Sequence, residues 1–169
     1  KVAAGRPMYA PVLRSALDDV FSFTQFAKPE NTYSAPLAIR QFTKETELID
    51  GKPVRDYPRL KHAGIGVSDP HSHSNDVWQR LSRGLAAGAL GSILGALLLT
   101  LCCVRSTRPF KQAFQAWWRG RMAIPWRPMW ITFSLLALVS CAVLSLATNY
   151  HVLGTDRTGN DVLWQALKS

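Results

Sequence analysis

The chain has 169 residues, 47% of them hydrophobic, and Lys plus Arg outnumber Asp plus Glu by 20 to 11 for a net charge of +9. The basic excess is not spread as a nucleic-acid binder would spread it: residues 1–83 hold twelve basic and nine acidic residues, a mixed solvated surface, and the cations concentrate later in a short stretch. Cys102, Cys103 and Cys141 all fall inside apolar runs, where free Cys acts as a small hydrophobe, so the sequence offers no disulfide framework.

In chain order, Ala16–Ala27 predicts a short helix with Leu17, Val20, Phe21 and Phe23 partly buried. Pro29, Pro36, Pro53 and Pro58 with the Asp50-Gly51 turn predict extended segments and loops, and residues 43–57 a small hairpin around Ile49 to Val54. So few large apolar residues suit a segment packed on a membrane domain better than an independent enzyme domain. The next stretch crowds His62, Asp69, His71, His73 and Asp76. His71 and His73 are weak metal candidates, because no fourth ligand stands at a defined spacing, and a solvated polar loop is the plainer expectation.

Leu85–Val104 and Met129–Thr148 are runs of twenty residues without a charge. At about 1.5 Å per residue each is long enough to cross a hydrocarbon core of about 30 Å. Gly84, Gly88, Gly91 and Gly95 give the first run small-x-x-x-small spacing, the pattern that lets membrane helices approach closely. The second has only Ala, Ser and Cys as small residues and is expected to face lipid more. Neither run carries a charge that would suit an ion relay, and no catalytic cluster lies in either. Between them, residues 105–127 hold Arg105, Arg108, Lys111, Arg119, Arg121 and Arg127 and no acid, the signature of a cytoplasmic loop in contact with anionic lipid. Phe110, Phe114, Trp117 and Trp118 are spaced for one face of a helix lying in the membrane interface, with a partner-binding helix as the sharper alternative. This orientation puts residues 1–83 and 149–169 outside. An external segment of that size implies an upstream helix, and a helical pattern running into Ser169 implies further spans, so the chain is expected to be a fragment.

The last segment, HVLGTDRTGNDVL from His151, follows the second run directly. Gly154 and Gly159 suit turns with positive φ. Thr155 and Asp156 suit bonds to nearby backbone N–H groups, and Asn160 or Asp161 suits a cap on a helix starting at Val162. These residues predict a rigid elbow that steers the chain back into the membrane, with substrate contact as the alternative role. The segment resembles the pattern H-x-x-G-T-D-x-x-G-R-D-V of permease subunits of dipeptide-, oligopeptide- and nickel-type ABC importers. His151, Gly154, Thr155, Asp156, Gly159, Asp161 and Val162 match it, and Asn160 departs from the family's Arg. A looser second copy runs through His62, Gly66, Ser68, Asp69, Asn75, Asp76, Val77, Arg80, Leu81 and Gly84. Seven residues separate its Asp69 from Asp76, against five between Asp156 and Asp161, so it is either a duplication or a chance likeness of two elbows.

The resemblance implies an all-α membrane protein of the bacterial inner membrane and a non-enzymatic role without a cofactor of its own. Its partners would be a second permease subunit, cytoplasmic ATPase subunits, a periplasmic substrate-binding protein and membrane lipid, with no nucleic acid. The chain has no P-loop with which to hydrolyse ATP itself. The alternative is a membrane-anchored sensor or assembly protein whose external region binds a partner.

Overall fold

The computed structural model describes residues 16–49, 52–67, 70–104 and 109–169. Its regular structure is mostly helical: α1 (Ala16–Val20), α2 (Pro70–Val104), α3 (Phe110–Trp118), α4 (Trp126–Ala147) and α5 (Val162–Lys168), with one hairpin of β1 (Glu45–Ile49) and β2 (Lys52–Asp56). Two of the helices, over Ser72–Val104 and Trp126–Ala147, are long and apolar enough to cross a membrane. Much of their apolar surface is open, including Leu90, Ile93, Leu94 and Leu98 on α2 and Leu135, Leu136 and Val139 on α4. Exposed apolar surface of this extent is a liability in water and suits lipid.

α2 and α4 form an antiparallel pair whose contact the glycines set. A Cβ at Gly84 would stand 2.6 Å from the Cys141 carbonyl oxygen and 2.7 Å from Ala142 Cα, and one at Gly88 2.8 Å from Leu138 Cα. Gly95 is looser, 3.1 Å from the Phe133 ring, and Gly91 meets nothing within 4 Å. Close packing therefore belongs to Gly84 and Gly88 rather than to all four glycines. α4 is the helix they pack on, yet its apolar stretch is less buried than that of α2, 11% against 17%. Side-chain bonds clamp both ends of the pair. Ser145 Oγ donates to the Arg80 carbonyl (2.7 Å), and the Trp130 indole N–H to the Ser92 carbonyl (3.1 Å).

α2 begins well before the apolar run, absorbing His73, Asn75, Asp76 and Arg80 into one 35-residue helix. Pro70 explains the early start, since its fixed φ and missing N–H suit a first helical turn. At about 1.5 Å per residue the helix is some 50 Å long, more than a hydrocarbon core of about 30 Å requires. α3 ends in a Schellman turn: Gly120 at φ 67° donates to the Trp117 carbonyl, and the Arg121 N–H to the Ala116 carbonyl.

The compact core lies at the α5 end of the pair, where Phe26, Ala147 and Trp164 are buried with Phe21, Val143, Leu144, Val152 and Leu163 around them. Phe26 stacks on Trp164 with ring centroids 5.3 Å apart. The helix expected over Ala16–Ala27 stops at Val20, and Leu17, Val20 and Phe23 are exposed. The segment instead buries Asp18, Thr24, Gln25 and Phe26. Its Gln25 N–H donates to the Ala147 carbonyl (2.7 Å) and its Gln25 Nε2 to the Thr148 carbonyl (3.0 Å). Satisfying the open carbonyls of the α4 C-terminus wins over extending a short helix. The hairpin pairs Ile49 with Lys52, leaving two residues for the turn, as an Asp-Gly connection requires. Asp50 and Gly51 themselves lie outside the described residues.

Candidate functional site

Residues 149–162 leave α4, turn twice and launch α5, and the motif residues converge within that turn. Gly154 and Gly159 hold φ at 77° and 82°. A Cβ at Gly154 would overlap the Ser34 carbonyl oxygen, and one at Gly159 the Glu30 carbonyl oxygen. Both positions thus need glycine for conformation and for space. Asp156 closes the loop between them, its Oδ1 accepting from the N–H groups of Thr158 and Asn160 (both 2.9 Å) and its Oδ2 from Gln165 Nε2 (3.1 Å). Burial works against the charged form of Asp156, but these bonds prevail and hold its carboxyl below the usual range. Asn160 is exposed and donates to Thr158 Oγ1 (2.8 Å), so it serves the turn itself.

Asp161 caps α5, its Oδ1 accepting from the Trp164 N–H (2.9 Å). Its other oxygen lies 2.8 Å from His151 Nδ1, and His151 Nε2 faces Glu30 Oε1 at 3.5 Å, an ion-pair distance without hydrogen-bond alignment. All three side chains are almost wholly buried. Burial opposes the charge on the ring, but the two carboxylates outweigh it and raise His151 to about 8. Burial likewise pushes Glu30 up, and the facing His151 ring with the bonds from the backbone N–H groups of His62 and Lys61 reverses that, leaving its pKa lowered. With a carboxylate at each ring nitrogen the imidazole is favoured as the doubly protonated cation and keeps no lone pair free to act as a base. The geometry is that of a charged clasp.

Thr155 works at long range rather than within its own turn. Its Oγ1 donates to the Thr32 carbonyl (2.8 Å) and lies 3.0 Å from Ser34 Oγ, and Ser34 and Thr155 pair as a β-bridge. The segment 30–34 therefore acts as a strap across the elbow. Glu30 is its anchor, accepting from the N–H groups of Lys61 (2.7 Å) and His62 (2.6 Å) while facing His151. Sequence reasoning missed Glu30: an isolated acid in a Pro-containing stretch carries no local pattern that announces a partner 121 residues away.

The second stretch does not reproduce the first. Gly66 takes φ 85°, like Gly154, but nothing lies within 4 Å of where its Cβ would be. Asp76 lies inside α2 and caps no helix; it accepts from Arg80 Nε (2.7 Å) and the Tyr150 hydroxyl (2.7 Å). Burial and that bond to Asp76 push the Tyr150 phenol well up, so it stays a donor. Arg80 also donates to Thr148 Oγ1 (3.0 Å), and the Gly64 N–H to the Asn149 carbonyl (2.8 Å). His62 is half-buried, and Asn75 is exposed. The stretch thus ties the start of α2 to the end of α4 instead of forming a second elbow. Ser68, Asp69 and the side chain of His71 lie outside the described residues. His73 Nε2 stands 2.9 Å from the Leu37 carbonyl and its ring packs edge-on to Tyr150. Among the described residues no group of three or more His, Cys, Asp or Glu side chains is arranged to hold a metal ion.

No protein-family model, curated protein or solved structure matches the chain.

Proposed function

We propose that the chain is part of the permease subunit of an ATP-driven importer of the dipeptide, oligopeptide and nickel class, multi-pass in a bacterial inner membrane. The observation that carries this reading is the elbow. The residues by which the sequence resembles that class are the ones that turn the chain out of the membrane-length helix α4 and into the seven-residue α5, through two positive-φ glycines and the His151–Asp161 pair. The α2–α4 pair supports it with two helices of spanning length, and the acid-free residues 105–127 support a cytoplasmic position for the connection between them. The segments 16–67 and 149–169 are then external, and the strapped elbow acts as a rigid outer brace.

In this role the chain binds no nucleotide. It lines part of a path between two permease subunits, an external binding protein supplies the solute, and cytoplasmic ATPase subunits drive alternating access. The brace would keep the outer ends of α4 and α5 at a fixed angle while the inner ends move. The test is isolation of the full-length protein from native membranes in mild detergent. The expected result is stoichiometric copurification of an ATP-hydrolysing subunit together with a second membrane subunit. A protein recovered alone, from membranes in which its neighbours are expressed, would contradict the reading.

A further inference from the structure

α3 presents three faces: one is buried inside the protein, and the next touches α4 only through Trp118, whose ring centroid lies 5.7 Å from that of Trp130. Ala113, Ala116 and Trp117 are buried, with the Trp117 indole N–H donating to Thr100 Oγ1 of α2 (3.1 Å). At 3.6 residues per turn, Phe110, Phe114 and Trp118 form the adjoining stripe, and they are 49%, 40% and 43% exposed. Lys111, Gln115 and Arg119 form the next stripe, also exposed. Beyond the helix, the Arg127 guanidinium lies 5.9 Å from the Trp118 ring centroid, and Gln112, Gln115, Arg119 and Arg121 line a shallow cleft of about 200 Å³.

This positive charge has no internal counterpart. No Asp or Glu occurs between Asp76 and Asp156. Among the described residues, no acidic side chain forms an ion pair with Lys111, Arg119, Arg121 or Arg127. The cations flank an open aromatic stripe, at the end of two helices of membrane-spanning length. An acidic partner protein in water would neutralise the cations and leave Phe110 and Phe114 wet. A phospholipid leaflet satisfies both, with phosphate at the level of the cations and acyl chains beside the rings.

We propose that α3 is a binding site for anionic phospholipid. Arg119 and Arg121 hold a phosphodiester, for which the planar guanidinium is suited. Lys111 and Arg127 sit among neighbouring headgroups, and Phe110, Phe114 and Trp118 enter the top of the acyl region. The site rests on the reading that α2 and α4 cross a bilayer, and not on the transporter reading.

The test places the full chain in nanodiscs of phosphatidylcholine with and without phosphatidylglycerol, and counts by native mass spectrometry the lipids retained on release. The expected result is selective retention of phosphatidylglycerol. The enrichment should fall roughly thirtyfold in R119Q/R121Q, the scale of losing two juxtamembrane cations, and be largely kept in R119K/R121K. Arg83→Gln, near the other end of α2, should leave it unchanged. A chain that enters the disc yet retains both lipids equally, or an R119Q/R121Q variant with unchanged enrichment, would overturn the site alone. Displacement of phosphatidylglycerol by a poly-glutamate peptide, with F114S binding lipid normally, would assign the face to an acidic protein and overturn it too. A chain that does not enter the disc would overturn the bilayer reading beneath it.

Discussion

His151 concentrates the charge balance of the elbow. Its pKa of about 8 lies above the ordinary value near 6.5 because Asp161 and Glu30 face its two nitrogens. A raised value means that the stabilisation is complete below about pH 6.5 and is lost as pH rises through 8. Its size is on the order of 2 kcal/mol from the linkage between the two values. His62 and Glu30 have lowered values, so their contributions change only below their ordinary pKa values and leave the window from 6.5 to 8 to His151. Thermal unfolding of the detergent-solubilised chain should show stability declining across that window, and His151→Gln should flatten the decline. A wild-type profile already flat there would show that the clasp carries no charge. Gly154→Ala places a side chain at φ 77° against the Ser34 carbonyl and should lower stability by about 1–3 kcal/mol in the same assay. Both glycines, and a cap at Asn160 or Asp161, were readable from the sequence, because positive φ and helix capping leave strong local preferences, and the structure gives the cap to Asp161. The strap was not. Glu30, Thr32 and Ser34 find their partners through the fold, and Asp18, which accepts from the Trp164 indole N–H (2.7 Å), stands 146 residues from it.

Among the elements, the α2–α4 pair is where glycine spacing and real contact part company. Gly84 and Gly88 face α4 backbone, so Gly84→Leu forces the helices apart and should cost about 1–3 kcal/mol or more, the range for overpacking. Gly91 faces open space, and Gly91→Ala should be neutral or stabilising by about 0.5–1 kcal/mol through helix propensity. Thermal unfolding of the two variants side by side checks the pair, and equal effects would show that the contact lies elsewhere. The apolar runs announced both helices, since twenty uncharged residues have few other uses. The true start of α2 was hidden, because its first turns are polar and resemble a loop in composition. α3 was legible in its position, yet Trp117 proved to be an inward anchor rather than part of the open aromatic stripe.

For the molecule as a whole, the proposed function turns on which end of the helical pair lies on which side of a membrane. The strapped elbow lies at one end of the helical pair, with Gln25, Glu30, Leu37 and Gly64 bonded to it or to the end of α4, and α3 lies at the other, its cations in no ion pair with an acid among the described residues. Charge asymmetry was visible in the sequence, whereas the strap across the elbow was not, being built from long-range contacts. The most direct test is vectorial labelling in a background lacking Cys102, Cys103 and Cys141, with single cysteines at the exposed positions Gln115 on α3 and Thr158 in the elbow. In intact cells an impermeant thiol reagent should label the Thr158→Cys protein and leave Gln115→Cys untouched until the membrane is opened. Labelling of Gln115→Cys in intact cells, with Thr158→Cys protected, would invert the topology and contradict the permease reading.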